Sequence, residues 1–175
     1  MRFKTFYMME YSYSCVMVQT SKPLADKIKK FVDDNIPDED LYKDEADNGR
    51  PNYIHTTVTY GMTDPSPDKV KELIGDSGTF NIELGEISKF DTDPNYDVIK
   101  ISVKSKELVK ANKKISDNMD HKDTFPVYKP HITLAYTKKG KGDHLLGDKT
   151  FMGIIDSTNE ILHTNKDKKE TFFKT

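Results

Sequence analysis

Apolar positions along the chain follow two periods. Tyr13–Val18, Phe80–Phe90 and Tyr96–Val103 are apolar runs of strand length. Leu24, Ile28, Phe31 and Val32, and later Leu108, Ala111 and Ile115, recur at helical spacing, with Ser21 and Ser105 standing as N-caps. Ser66-Pro67 opens a short third helix through Ile74, with proline at the first helical position. His55–Tyr60, His131–Tyr136, Phe151–Ile155, Asn159–Thr164 and Glu170–Phe173 complete the expected strands. Asp93-Pro94-Asn95 and Asn165–Lys169 mark turns, and Lys138–Gly142 a flexible loop. The acidic run Pro37–Asp47 reads as a solvated loop with the alternative of a lid. Strands and helices in this order predict an α+β fold with mainly antiparallel pairing.

The pattern repeats. Ser21-Lys22-Pro23-Leu24 and Ser105-Lys106-Glu107-Leu108 each follow an apolar run, open a helix and precede a Lys-Lys pair, at Lys29-Lys30 and Lys113-Lys114. Each helix leads through a loop to a strand of the form His-x-Thr-(Val/Leu)-x-Tyr: His55-Thr56-Thr57-Val58-Thr59-Tyr60 and His131-Ile132-Thr133-Leu134-Ala135-Tyr136. The two serines are 84 positions apart and the two histidines 76. The loop Pro37–Pro51 absorbs the difference, at little cost for a surface loop.

Alternation along a strand puts residues i and i+2 on one face. Strict alternation would group His55, Thr57 and Thr59 on one side and Ile54, Thr56, Val58 and Tyr60 on the other, with the matching split in the second copy. Tyr60 and Tyr136 are then packing residues, and the His/Thr faces are polar. An imidazole and a hydroxyl ~6.6 Å apart along the backbone can converge on one phosphate. Two such pairs facing each other would supply one imidazole to take a proton, another to give one, and hydroxyls to hold charged oxygens. A single His-x-Thr is ordinarily just a strand; two copies in matching places of a duplicated unit favour catalysis by His55, Thr57, His131 and Thr133. A neutral and a protonated imidazole acting together imply a bell-shaped pH dependence around neutrality. Neither motif has ligand spacing for a metal, and no cofactor is expected. His121, His144 and His163 lie outside any pattern and default to the surface.

Composition narrows the partners. The chain of 175 residues has a net charge of −2, with 35% apolar and 32% charged residues, so there is material for a core but no basic excess for long nucleic acid. Arg2 and Arg50 are its only arginines; lysine scatters charge for solubility but cannot make arginine's bidentate phosphate clamp, so a phosphate ligand should be small and held by a few short-range contacts. Its one cysteine, Cys15, excludes an internal disulfide and a multi-cysteine zinc site, and sits as a buried strand residue. The segment Met1–Tyr11 lacks a signal-peptide core and no run reaches membrane-spanning length, so a cytoplasmic protein with no membrane partner is expected.

The duplicated His-x-Thr strands resemble the 2H phosphoesterase superfamily, over about Tyr13 to Phe173. Within it, Asn35–Leu41, Gly49-Arg50, His55–Gly61 and Tyr128–Tyr136 are similar to the phage anti-CBASS branch, whose members degrade the cyclic di- and trinucleotide messengers of bacterial immunity. The resemblance implies two pseudo-symmetric lobes of mainly antiparallel sheet with outer helices around a central cleft, residues 1–175 forming one bilobal domain. It implies a metal-independent phosphodiesterase acting on 3′–5′ bonds of a cyclic di- or trinucleotide, in the cytoplasm of an infected host if phage-encoded. RNA-processing 2′,3′-cyclic phosphodiesterase or 2′–5′ ligase-like activity is the alternative, and a non-cleaving cyclic-nucleotide sponge the alternative of another class. With no tryptophan in the chain, base contacts fall to Tyr11, Tyr13, Phe172 and Phe173, with Lys129 beside the second motif. Oligomeric state, and which histidine is the acid, stay open.

Overall fold

A computed structural model describes residues 13–44, 48–64, 66–122 and 127–175. Eight strands form one sheet: β1 (Ser14–Gln19), β2 (His55–Met62), β3 (Phe80–Phe90), β4 (Tyr96–Lys104), β5 (His131–Lys138), β6 (Ile155–Thr158), β7 (Glu160–Thr164) and β8 (Glu170–Lys174). Their order is β6-β3-β4-β5-β2-β1-β7-β8, with every pairing antiparallel. Outward from the centre, β2-β1-β7-β8 mirrors β5-β4-β3-β6, so the duplication in sequence becomes two half-sheets related by a pseudo-two-fold. The halves meet in one pair, Thr56 with Ile132, the middle residues of the two His-x-Thr motifs.

Among the described residues three α-helices cover one face: α1 (Lys22–Asn35), α2 (Pro67–Ile74) and α3 (Lys106–Ser116). Leu24, Ile28 and Val32 of α1, Val70 and Ile74 of α2, and Leu108, Ala111 and Ile115 of α3 are buried in a single apolar cluster with the sheet residues beneath them. Ser66 and Ser105 cap α2 and α3 by accepting from the amides of Asp68 and Leu108. Ser21 occupies the same position at α1 without a side-chain cap bond; its amide instead donates to Asp156 Oδ2 at 2.9 Å.

Strict alternation fails in both motif strands, and in the same way. Met17 pairs with Thr57 but Val16 with Thr59, leaving Val58 as an extra residue. Lys100 pairs with Thr133 but Ile99 with Ala135, leaving Leu134 as the extra residue. Val58 and Leu134 are equivalent by the 76-residue offset, so each copy carries the same bulge. A bulge reverses the facing of the residues that follow it, in β2 as far as a second register shift between Thr59 and Met62. Thr59 and Ala135 therefore turn to the helices, and Tyr60 and Tyr136 to the other face, contrary to the alternation expected from sequence. Tyr60 packs there with Cys15, Met17 and Leu162. Asn112 of α3 holds the first bulge, donating to Val58 O at 2.7 Å.

Other departures are local. Phe151 lies in a turn and the sixth strand starts only at Ile155. His163 is buried at 1% exposure opposite Val16 on the helix side, not at the surface. The described part of the acidic loop is docked: Leu41 is buried and bridges to Thr137, Tyr42 N donates to Tyr136 O, and Arg50 pairs with Asp38 while donating to Ile36 O. Arg50 thereby ties the loop to the end of α1. None of the described helices is long and apolar enough to cross a membrane.

The β4–β5 connection rests on Asp97, which is fully buried and accepts from Lys139 Nζ at 2.6 Å, Lys89 Nζ at 3.3 Å and the Gly140 amide at 2.8 Å. Burial opposes the charge, but these three donors outweigh it and hold the carboxyl below its ordinary range. Asp97→Ala would strand the Gly140 amide and take the carboxylate partner from Lys139, while Lys89 would keep Asp143. Urea unfolding should show a loss of about 2 kcal/mol; an unchanged midpoint would remove Asp97 as the anchor.

Candidate functional site

The sheet face away from the helices forms a cleft along the pseudo-dyad. A cavity of about 110 Å³ on its floor is lined by His55, Thr57, His131 and Thr133, together with Tyr53, Tyr136, Met17, Leu162, Thr164, Lys168 and Glu170 among others. The two motifs thus share one cavity. In the register set by Thr56 and Ile132, His55 lies across from Thr133, and Thr57 across from His131. The two histidines are diagonal neighbours, with backbones about 8 Å apart by sheet geometry.

Both imidazoles are fixed in the same way. His55 Nδ1 lies 2.9 Å from Tyr53 O, and His131 Nδ1 lies 2.9 Å from Lys129 O. Tyr53 and Lys129 are again 76 positions apart. A carbonyl can only accept, so Nδ1 carries the proton in each ring and Nε2 is left to face substrate. Extended backbone two residues upstream of each histidine supplies this anchor, so it arises from the strand itself.

Burial acts on both rings. Burial in the cleft floor lowers the pKa of both histidines, against a smaller raising effect of the carbonyl bond. His131 is pushed to about 4, because the Lys100 ammonium and His55 add to its desolvation. Phe90 packs edge-on against the His131 ring at 4.9 Å, and Lys100 Nζ sits 4.5 Å above the same Phe90. Across the dyad, Tyr128 hydroxyl donates to Thr57 O at 2.7 Å and so braces the strand that carries Thr57. Burial raises the Tyr128 pKa, which keeps the phenol protonated as a donor.

The remaining sequence candidates scatter. Phe172 is 54% exposed on the cleft side, edge-on to Tyr53 at 5.9 Å. Phe173 points the other way, packing on the helix-side core with Lys71 over its ring at 5.7 Å, because adjacent strand residues alternate; the expectation that it reaches substrate is corrected. Tyr13 stands outside the cavity, with Lys122 Nζ 5.3 Å from its ring. Lys129 is exposed and contributes its carbonyl to His131. Tyr11 lies outside the described residues. Sequence reasoning missed Tyr53, Tyr136, Glu170, Phe90 and Lys100. Tyr53 was within reach, standing two residues before His55 on the same pleat; Tyr136 was hidden by the bulge. Tyr53 hydroxyl donates to Glu170 at 3.1 Å, joining β8 to the approach of β2. Among the described residues no three of His, Cys, Asp and Glu converge as metal ligands.

Comparison with known proteins places this geometry. Residues 38–171 match the family described as anti-CBASS protein Acb1. No curated protein matches the sequence. Solved structures share the fold at low identity. TT0787 of Thermus thermophilus has a TM-score of 0.65 at 12% identity, covering 93% of this chain and 94% of that one. E. coli LigT complexed with 3′-AMP has 0.60 at 13%, covering 94% and 95%. Kluyveromyces marxianus Usb1 with uridine monophosphate has 0.61 at 7%, covering 94% and 99%.

The depressed proton affinity of His131 can be read directly. In a histidine NMR titration of the ligand-free protein, the His131 ring should stay neutral at pH 5 and titrate near 4; protonation at pH 6 or above would contradict the buried setting. The folded value lies below the ordinary 6.5, so the unfolded chain binds more protons between them. Stability from this group is present above pH 6.5 and is lost as pH falls toward 4. His131→Asn should show a shallower loss over that window in urea titrations.

Proposed function

The chain belongs to the family of the anti-CBASS protein Acb1, and we propose that it cleaves 3′–5′ phosphodiester bonds of cyclic di- or trinucleotide messengers, with His55 and His131 as the proton-transfer pair. The observation that carries this reading is the matched anchoring of the two imidazoles, each with Nδ1 on a carbonyl, in one cavity lined also by Thr57 and Thr133. Mononucleotides bound in two proteins of the same fold, 3′-AMP in LigT and uridine monophosphate in Usb1, support a nucleotide ligand.

In the proposed step the substrate's own 2′-oxygen attacks phosphorus. An internal nucleophile avoids much of the entropic cost of recruiting water. His131, whose protonation burial and the nearby Lys100 ammonium oppose, takes the 2′-hydroxyl proton at Nε2. The bond from phosphorus to the 5′-oxygen breaks, and His55 delivers its Nε2 proton to that oxygen. Thr57 and Thr133 hydroxyls donate to the non-bridging oxygens as charge builds on them. The products are a 2′,3′-cyclic phosphate and a free 5′-hydroxyl. Water then opens the cyclic phosphate to a 3′-phosphate, with the two rings exchanging roles.

Incubation with cyclic dinucleotide followed by denaturation should release linear product; recovery of intact ligand would leave a sponge. His55→Ala and His131→Ala should each cost at least about 10²-fold in turnover, the usual size of a proton-transfer contribution, with Thr57→Ala and Thr133→Ala costing less. Near-normal turnover in either histidine variant would refute the shared cavity as the reaction site. Because proton transfer uses imidazoles alone, excess EDTA should leave the rate unchanged; loss restored by one divalent ion would overturn the mechanism.

The pH profile derives from the pair. Activity rises as His131 loses its proton, above about 4, and falls as His55 loses its proton, below the ordinary 6.5. The bell in kcat/KM should therefore peak on the acid side of neutrality, lower than two ordinary imidazoles would give. A peak on the alkaline side of neutrality would contradict these assignments.

A further inference from the structure

The two halves of the cleft are equivalent in backbone and opposite in chemistry. Met17 is the partner of Thr57, and Lys100 is the partner of Thr133. Beyond them, Leu162 pairs with Met17 while Ser88 pairs with Lys100. Upstream of the histidines, Tyr53 matches Lys129. One half therefore presents Tyr53, Met17 and Leu162, and the other Lys129, Lys100 and Ser88.

Lys100 is the unusual member. Directly paired residues on neighbouring strands share a face, so it lies on the cleft side with Thr133, half-buried. Its Nζ donates to Ser88 Oγ at 2.8 Å, and Ser88 Oγ lies 3.4 Å from Ser102 Oγ. An ammonium has three donors, and among the described residues no carboxylate pairs with this one. Burial and the nearby Lys129 charge both work against its own charge. A half-buried, repelled cation with no counter-ion among the described residues, backed by hydroxyls, is suited to receive an anion.

Its position says which anion. Lys100 is on the strand outside Thr133 and reaches outward to Ser88 on the next, so its ammonium lies one to two strand spacings from β5, ~5–10 Å. A phosphate held between His55 and His131 sits over the β2–β5 junction, inward of that point. Lys100 is also absent from the lining of the central cavity, which at about 110 Å³ is well below the ~300–1,000 Å³ of a pocket for a whole drug-sized ligand. A substrate larger than one phosphodiester must extend beyond it along the cleft.

Resting on the reading of the central cavity as the cleavage site, we propose that Lys100, with Ser88 and Ser102 behind it, binds a second, non-scissile phosphate of the substrate, making the protein selective for nucleotides that carry two phosphodiesters. The opposite half, with Tyr53 and the apolar Met17 and Leu162, is left for sugar and base.

The test compares two uncleavable 2′-deoxy ligands with the same two nucleosides: a cyclic dinucleotide with two phosphates and a linear dinucleoside monophosphate with one. Lys100→Met, which copies the residue at the matching position of the other half, should weaken calorimetric binding of the cyclic ligand about 10-fold. It should also lower its salt dependence by about one phosphate contact and leave the linear ligand within about twofold. Lys100→Arg should retain most of the cyclic affinity. Normal binding of the linear ligand shows that Lys100→Met is folded. Equal weakening of both ligands, or of neither, would overturn the second-phosphate assignment. Turnover of the ribose cyclic dinucleotide by the wild-type protein is scored separately: its failure would remove the cleavage reading while the difference in binding stood.

Discussion

β2 and β5 meet in a single pair, Thr56 with Ile132, and the two-fold relating the half-sheets passes through it. Within each half, neighbouring strands are paired at several positions; at the junction they touch once and diverge. That divergence opens the cleft. The shared pair also fixes what faces what, setting each histidine across from the other motif's threonine. Because side chains alternate, burying Thr56 and Ile132 against the helices forces His55, Thr57, His131 and Thr133 together onto the opposite face. Tyr128 on Thr57 O and Asn112 on Val58 O brace this junction from the other half of the chain.

Symmetry supplies the paired groups, and its loss differentiates them. Identical carbonyl bonds leave both rings with the same free nitrogen. The side chains around them differ, with Lys100 and Phe90 beside His131 and Met17 and Tyr53 on the side of His55. The Lys100 ammonium lies near His131 and works with burial against a proton on that ring, so the two imidazoles have different surroundings although the backbone treats them alike.

Much of this was legible in the sequence. The duplicated motif, the strand–helix–strand order and the limits of Phe80–Phe90 came directly from period and spacing. The 2H phosphoesterase resemblance carried the fold, and the Acb1 match extends it to family. The bulges did not show. Val58 and Leu134 look like ordinary strand residues, and one extra residue in a strand becomes visible only against its partner's register. Tyr60 and Tyr136 were accordingly set on the wrong face. His163 was also missed, because a strand whose pairing with β1 is unknown cannot reveal which side it buries. Lys100 looked like one more solubilising lysine until β4 was laid beside β5.

Proton transfer by two imidazoles in one cavity, with the substrate's own 2′-hydroxyl attacking, leaves a definite order of products. Mass spectrometry of early and late products from a cyclic diribonucleotide, run beside its 2′-deoxy analogue, tests it most directly. A linear 2′,3′-cyclic phosphate should form first and a 3′-phosphate later, with the deoxy analogue intact. Products ending in a 5′-phosphate, or efficient cutting of the deoxy analogue, would show that water attacks directly and would contradict it.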